Sequence, residues 1–426
     1  MSLFKLNTVS YVFYFQIITS AFVGSILLAT GSIDYHPMVQ GISYGTKISA
    51  WAWVMYSMLT LPLAMLFLNY IFRFQPKAAF NDYLNKPFDF QSNDFLNKMI
   101  LSGMVLFAIL ILWYIFHYTN RIPIITLLTE NNPEQAGIDR VDSKRSFSGL
   151  DYIKNLGGVV LVPTLAYFSY IFMVKKKNFF YVICFLFLFF ISTVLLIYDI
   201  QKAPVAFFLF GFLILHTFLF GGVSAKKFLI FTGLGIGLLL LGYQYTSNVN
   251  AFDQFTRFNS AFYGRIFISG YLGFPLSLEL FPEIIKQPTY QIGLPGFILN
   301  FLNLENTESA RLLMAHINPE GYEKGSANLV SSYFLGEAYA NYGYIGLLIA
   351  PLIVGFVVQS VHIFLLKRPK DPLLLAFYAS ITVKWLLGAG FVSFLYLKII
   401  FFPLVLYFLV KIIINTLKHF SKETAT

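Results

Sequence analysis

The sequence carries a single cysteine, Cys184, so it has no intrachain disulfide and no thiolate metal cluster. Cys184 sits inside an apolar run, where it reads as a small hydrophobe. Charge is also scarce: 12% of residues are Asp, Glu, Lys or Arg, against about a quarter in soluble domains. There is no Walker loop, dinucleotide fingerprint, HExxH pair or GxSxG elbow in a useful context. A nucleotide-driven, redox-cofactor or zinc-hydrolase reading therefore has no residues to stand on, and neither metal nor cofactor is expected. Solenoid repeats, low-complexity linkers and the alternating ten-residue segments of an outer-membrane barrel are missing as well.

What the sequence does have is apolar length. Hydrophobic residues make up 57% of the chain, with 49 Phe and 27 Tyr among them. They fall in discrete runs long enough to cross a hydrocarbon layer of roughly 30 Å, where each run must satisfy its own backbone groups and so must be helical. The pattern predicts an all-α, polytopic integral membrane protein of about ten transmembrane helices. The runs lie near 11–30, 48–72, 99–118, 156–174, 179–198, 203–221, 228–245, 341–366, 373–389 and 391–412. The first resembles a signal peptide, but it is too long and lacks a small-residue cleavage site, so it is expected to be retained.

Ten crossings put every short lysine cluster on one side, with 16 basic and 5 acidic residues there against 12 and 15 on the other. Lys384 and Lys398 fall within the runs. That asymmetry follows the positive-inside rule, so the net charge of +10 orients the chain and does not signal nucleic acid. Both termini are then cytoplasmic. The whole chain, 1–426, reads as one membrane domain with two substantial external loops. The smaller spans 119–155. The larger, 246–340, precedes the eighth helix and contains two apolar stretches expected to form re-entrant or interfacial helices.

Candidate chemistry collects near this outer loop. Arg257 and Arg265 are eight residues apart, about two helical turns, and on one helix they would share a face. Guanidinium groups there, with Arg311, suit the planar donor pairing that phosphate oxygens need. Lys384 and Lys398 are costly inside lipid unless they snorkel, pair or face a wet cavity, so both are candidates for an anionic headgroup. The stretch GSANLVSSYFLGEAYANYGYIGLLIAP, from Gly325 to Pro351, is the most distinctive. Glu337 is placed there to accept a proton or to fix an arginine, and Tyr339 and Asn341 to contact sugar. His316 is a second candidate base. His216 and His362 read as helix contacts.

The GEAYANYGYIG segment, the many-helix layout and the large external loop resemble bacterial O-antigen or capsular oligosaccharide repeat-unit polymerases, the Wzy group. The resemblance implies an enzyme of the bacterial cytoplasmic (inner) membrane that joins undecaprenyl-diphosphate-linked glycans on its outer face, without metal or cofactor. It also implies a chain-length regulator, a flippase and membrane lipids as partners. External-loop arginines are implicated in that group, which matches Arg257, Arg265 and Arg311 by location. This sequence shows no clean pair of RX10G motifs, so the match is by place rather than by motif. On this reading Arg265, Glu337 and His316 are catalytic, and Arg257, Arg311, Lys384, Lys398, Tyr339 and Asn341 bind substrate. An O-antigen ligase and a polysaccharide flippase or transporter are the competing readings.

Overall fold

A computed structural model describes residues 4–90, 94–130, 132–247, 250–257, 259, 263–285, 296–304, 308–323, 330–331, 333–385 and 387–423. Among these the regular structure is entirely helical. Ten helices follow the apolar runs: α1 Thr8–Ala29, α2 Tyr44–Ile71, α3 Asp94–His117, α4 Ile153–Lys176, α5 Phe179–Ile197, α6 Lys202–Phe220, α7 Ala225–Ser247, α8 Tyr333–Leu366, α9 Pro372–Lys384 and α10 Lys398–Glu423. Nine are long and apolar enough to cross a membrane. The exception is α9, whose 13 residues extend about 20 Å. The protein is a multi-pass, all-helical membrane protein.

Local chemistry sets the ends of these helices. Asn7 and Ser10 form a reciprocal capping box at the start of α1. The Ser43 hydroxyl accepts from Thr46 N at the start of α2, and the Asn178 side chain accepts from Phe180 N at the start of α5. Asp371 caps α9 with Pro372 in the first helical position, and Gly221 closes α6 at φ +84°.

The helices pack around two apolar cores. One joins α3, α4, α5, α6 and α9. The other joins α1, α2 and α8 with residues 268–281 and 385–394. Between helices in lipid, close approach depends on small residues. A methyl group at Gly211 would lie 2.0 Å from the Tyr167 hydroxyl, which donates to Phe208 O. One at Gly355 would lie 2.7 Å from Leu61 O, where α8 crosses α2. Among the described side chains in the first 18 residues of α7 none is buried, so this helix stands at the margin of the bundle.

The basic segments meet at one end of the bundle. Lys5 donates to Asn81, and Lys370 donates to Leu84 O at 2.8 Å. Lys175 and Lys176 lie over the rings of Phe88 and Phe90. Lys367 lies over Phe72, and Lys411 pairs with Asp371 at 2.6 Å. The other connections are tied to one another instead: Ser43 donates to Glu279 at 3.0 Å, and Ile124 N donates to Tyr198 O at 3.0 Å. By parity, the segment between α7 and α8 lies at the end away from the basic cluster. In a Cys184→Ser background, single cysteines at Ser32 and Ser148 are expected to react with an impermeant thiol reagent from one side. Cysteines at Lys177 and Lys226 are expected to react only from the other. Labelling of Lys226→Cys and Ser32→Cys from the same side would contradict this arrangement.

Residues 119–155 contain two helices, Pro123–Glu130 and Pro133–Arg145. The buried carboxylate of Asp139 fastens them, accepting from Thr126 at 2.6 Å and Gln135 at 2.9 Å, with Arg121 at 3.5 Å. Burial pushes this carboxyl upward, but those hydrogen bonds and the Arg121 charge outweigh it and hold it below its ordinary value. An Asp held low stabilises the fold above its ordinary value and loses that contribution as pH falls through the lower, folded-state one. The two helices should therefore stay protected down to about pH 4. At neutral pH, Asp139→Ala is expected to raise tryptic cleavage at Arg140 about tenfold, since a hydrogen bond to a charged group contributes about 1.5–3 kcal/mol. Unchanged cleavage in that variant would show that Asp139 does not hold the pair.

Candidate functional site

Between α7 and α8 the described helices are short: Ala251–Thr256, Gly264–Ile268, Gly273–Leu280, Gly296–Phe301, Ser309–Ile317 and Pro319–Glu323. Two of them run into the second core, where Ile268, Tyr271, Phe274 and Phe281 are almost fully buried. Gly264–Ile268 is a π-helical turn lying against α1, which is itself π-helical over Tyr11–Phe22. The approach is close: a methyl at Gly24 would sit 2.5 Å from Phe267 O, and one at Gly270 would sit 2.7 Å from the Ser20 hydroxyl. Small residues on α1 thus admit the turn that carries Arg265.

The next helix, Gly273–Leu280, packs on the first turns of α8. Gly273 N donates to Ser331 O at 3.1 Å, and a methyl at Gly336 would lie 3.0 Å from the Phe274 backbone. The eighth helix begins at Tyr333, eight residues earlier than the apolar run suggests, so Glu337 and Tyr339 lie on helix rather than loop, and Asn341 lies within the helix rather than at its start. It is then interrupted at Gly343, where φ 60° and ψ −148° suit glycine alone. The break brings Gly346 against the Ala338 carbonyl.

The third element is the joint between α9 and α10. The sequence predicts a tight hairpin at Gly388 and Gly390. Instead, α9 ends at Lys384, and a 3-10 turn Leu387–Ala389 and a short helix Val392–Leu395 precede α10. Left-handed backbone at Gly390 and Leu397 bends the chain inward. Trp385, Leu387 and Phe394 are buried, because this stretch drives its apolar side chains into the core instead of out to lipid. Ser331 donates to Gly388 O at 2.8 Å, and Glu337 Oε2 accepts from Val392 N at 2.8 Å. The Glu337 carboxylate also lies against Gly390: a methyl there would be 2.3 Å from Oε2. The geometry gives Glu337 a positioning contact with this joint.

The remaining candidates divide. Tyr339 is buried, its hydroxyl 3.4 Å from Phe281 O and its ring edge-on to Tyr344. Asn341, one turn beyond Glu337, is 3% exposed, and neither atom of its amide has a hydrogen-bond partner among the described residues. A buried amide left unpaired is costly and marks a place where a polar group is wanted. Lys384 donates to Val159 O at 2.6 Å, within the π-helical opening of α4, Ile153–Leu161. Lys398 is the first residue of α10 rather than two turns into it, and its side chain lies outside the described residues. The side chain of Arg265 does too.

Arg257 and Arg311 are not gathered here. Arg257 ends its helix in extended backbone, so no single helix carries it and Arg265 on one face. Its exposed guanidinium lies 3.6 Å from Asp253. Arg311 is exposed and pairs with Glu308 at 3.0 Å. His316 is exposed in the last turn of Ser309–Ile317, the helix whose Leu313 and Met314 face the core. Of the other histidines, His362 meets the Tyr378 hydroxyl at 3.0 Å and His216 meets Lys227 at 3.3 Å, both contacts between neighbouring helices. Among the described residues, no group of three His, Cys, Asp or Glu is placed to hold a metal.

Residues missing from the sequence-based site are Ser20, Gly24, Ser331 and Gly343. None bears obvious chemistry, and only the glycines leave a trace in the sequence. Comparison with known proteins gives no matching family model, no matching characterised protein and no matching solved structure.

Proposed function

We propose that the chain polymerises undecaprenyl-diphosphate-linked oligosaccharide repeat units at the outer face of the bacterial cytoplasmic membrane, with its basic end and both termini cytoplasmic. One observation carries the reading. Three stretches of interrupted backbone, the segment that runs from the Arg265 turn to Leu280, the start of α8 and the α9–α10 joint, pack on one another away from the basic end, through Gly270, Gly336, Gly388 and Gly390. Membrane proteins tolerate irregular backbone where it is buried in protein or lines a cavity, and broken helices are a recurrent way to present polar groups to a substrate. The Asn341 amide, which has no hydrogen-bond partner among the described residues, lies in the same region.

In the proposed reaction a hydroxyl of the incoming lipid-linked unit attacks the anomeric carbon of the growing glycan. A new glycosidic C–O bond forms, the bond to the lipid diphosphate breaks, and the hydroxyl proton leaves with a carboxylate or with the diphosphate. Arg265 stabilises charge on the departing diphosphate, the largest contribution expected in such a site. Lys384, held by the Val159 carbonyl, is the second cation assigned to this role. Glu337 holds the α9–α10 joint in place, and Tyr339 and Asn341 offer an aromatic face and an amide to sugar. Arg257, Arg311 and His316, exposed on the short outer helices, are assigned a lesser part than the spacing suggested.

The test is the purified chain in a bilayer with a synthetic undecaprenyl-diphosphate repeat unit. A ladder of lengthening products is expected. Transfer only to a lipid A–core acceptor would replace this reading with ligation, and translocation without linkage would replace it with transport.

A further inference from the structure

A second region, at the basic end, is built differently. α8, α9 and α10 leave an apolar cleft of about 400 Å³ between them, with Phe356, Ile381, Leu397 and Pro403 in its wall. Pro403 lies within α10 and lacks the N–H of a regular turn, which favours a bend there. The cleft opens into a polar recess of about 330 Å³ lined by Asp89, Arg368, Asp371 and Lys411. Phe364, Leu374, Leu404 and Tyr407 line both, so the two form one continuous space. From Leu374 to Ile381 the cleft follows α9 for about 10 Å at 1.5 Å per residue, toward the middle of the membrane.

The charges of the recess select an occupant. Lys411 is taken up by Asp371 at 2.6 Å and by the Tyr407 hydroxyl at 3.0 Å, while Asp371 also caps α9. That leaves one cation and one anion. Arg368 lies over the Phe364 ring and Asp89 is held beside it in the chain's path by its N–H bond to Lys370 O at 3.0 Å. Both side chains are exposed, and neither forms an ion pair with a described residue. An anionic headgroup would satisfy Arg368 but meet Asp89 unfavourably; a zwitterionic one satisfies both.

We infer that this cleft holds one phospholipid whose headgroup carries a phosphate and a primary ammonium. Its phosphate lies at Arg368, its ammonium at Asp89, and an acyl chain fills the apolar cleft. The inference does not depend on the outer site or on the reaction proposed for it.

Native mass spectrometry of the full-length protein, delipidated and then titrated with phospholipids of matched chains, tests it. Wild type is expected to retain one phosphatidylethanolamine at least fivefold more strongly than phosphatidylglycerol or phosphatidylcholine. Asp89→Asn should bring ethanolamine and glycerol headgroups within twofold of each other, and Arg368→Ala should weaken all three. Ser360→Trp, which fills the cleft, should abolish retention. Equal or stronger retention of phosphatidylglycerol by wild type overturns the inference, as does retention that ignores both headgroup substitutions. Because Asp89 and Arg368 are exposed, those two variants decide the matter even if Ser360→Trp fails to fold.

Discussion

Arg265→Ala is expected to collapse the product ladder to the starting unit, lowering turnover by about 10²–10³ while leaving expression and membrane insertion unchanged. Losing one preorganised donor to developing charge costs about that much in other transfer reactions. The expectation rests on where its backbone lies: the Gly264–Ile268 turn is sealed against α1, and its neighbours Ile268 and Tyr271 are almost fully buried. Arg257→Ala and Arg311→Ala are expected to change turnover less than about threefold, because each arginine sits exposed in a short-range pair with its own helix, and such pairs contribute little. Arg265→Lys keeps the charge but loses the forked donor set, so partial activity is expected. A full-length ladder from Arg265→Ala would remove this residue from the mechanism. A defect equal in all three alanine variants would mean that the segment between α7 and α8 contributes charge in general and no specific contact.

Gly390→Ala should be strongly damaging. The residue has φ +100°, where an L side chain is strained, and the added carbon would lie 2.3 Å from Glu337 Oε2. Strain of this kind costs about 1–3 kcal/mol before the clash is counted, so a clear fall in the thermal unfolding midpoint and loss of activity are expected together. Glu337 separates the two consequences. Glu337→Ala leaves the Val392 N–H without its carboxylate and should cost about 1.5–3 kcal/mol. Glu337→Gln retains an acceptor oxygen of the same reach and should keep most of the stability. If it also keeps turnover, the carboxylate is a positioning group and nothing more. If it keeps stability but loses turnover, Glu337 carries charge or proton chemistry beyond its hold on the joint. Wild-type unfolding for Gly390→Ala would mean the α9–α10 joint is looser than its geometry indicates.

Much of the architecture was legible because lipid leaves few choices. An apolar run of about 20 residues in hydrocarbon is a helix, and its ends follow from caps such as Asn7, Ser43, Asn178 and Asp371. Where the runs are uninterrupted, from α1 to α7, the expected and observed boundaries differ by a few residues. The differences grow where glycine meets aromatic residues. The stretch around Gly388 and Gly390 is apolar enough to pass for the end of one span and the start of the next. Hydropathy does not register that Gly390 and Leu397 adopt left-handed backbone and turn the chain into the core. Likewise residues 333–340 fall within the expected loop, yet their backbone groups are satisfied by helix, which is interrupted just beyond them at Gly343.

The candidate site was legible only as a set of residue types. Guanidinium chemistry singles out Arg257, Arg265 and Arg311, but the eight-residue spacing of the first two presumes one continuous helix, and the Arg257 backbone ends that helix. Composition, run length and the lysine asymmetry were enough by themselves to determine a helical, multi-pass membrane protein, because the free energy of an unpaired backbone group or a charge in hydrocarbon is large and depends little on neighbours. Which polar residues stand together was decided by the tertiary structure alone. Gly24 and Gly336 permit close backbone-to-backbone approaches, and Gly270 and Gly390 admit the side chains of Ser20 and Glu337, between segments far apart in the chain; such contacts depend on the shapes of both partners, which no single stretch of sequence contains.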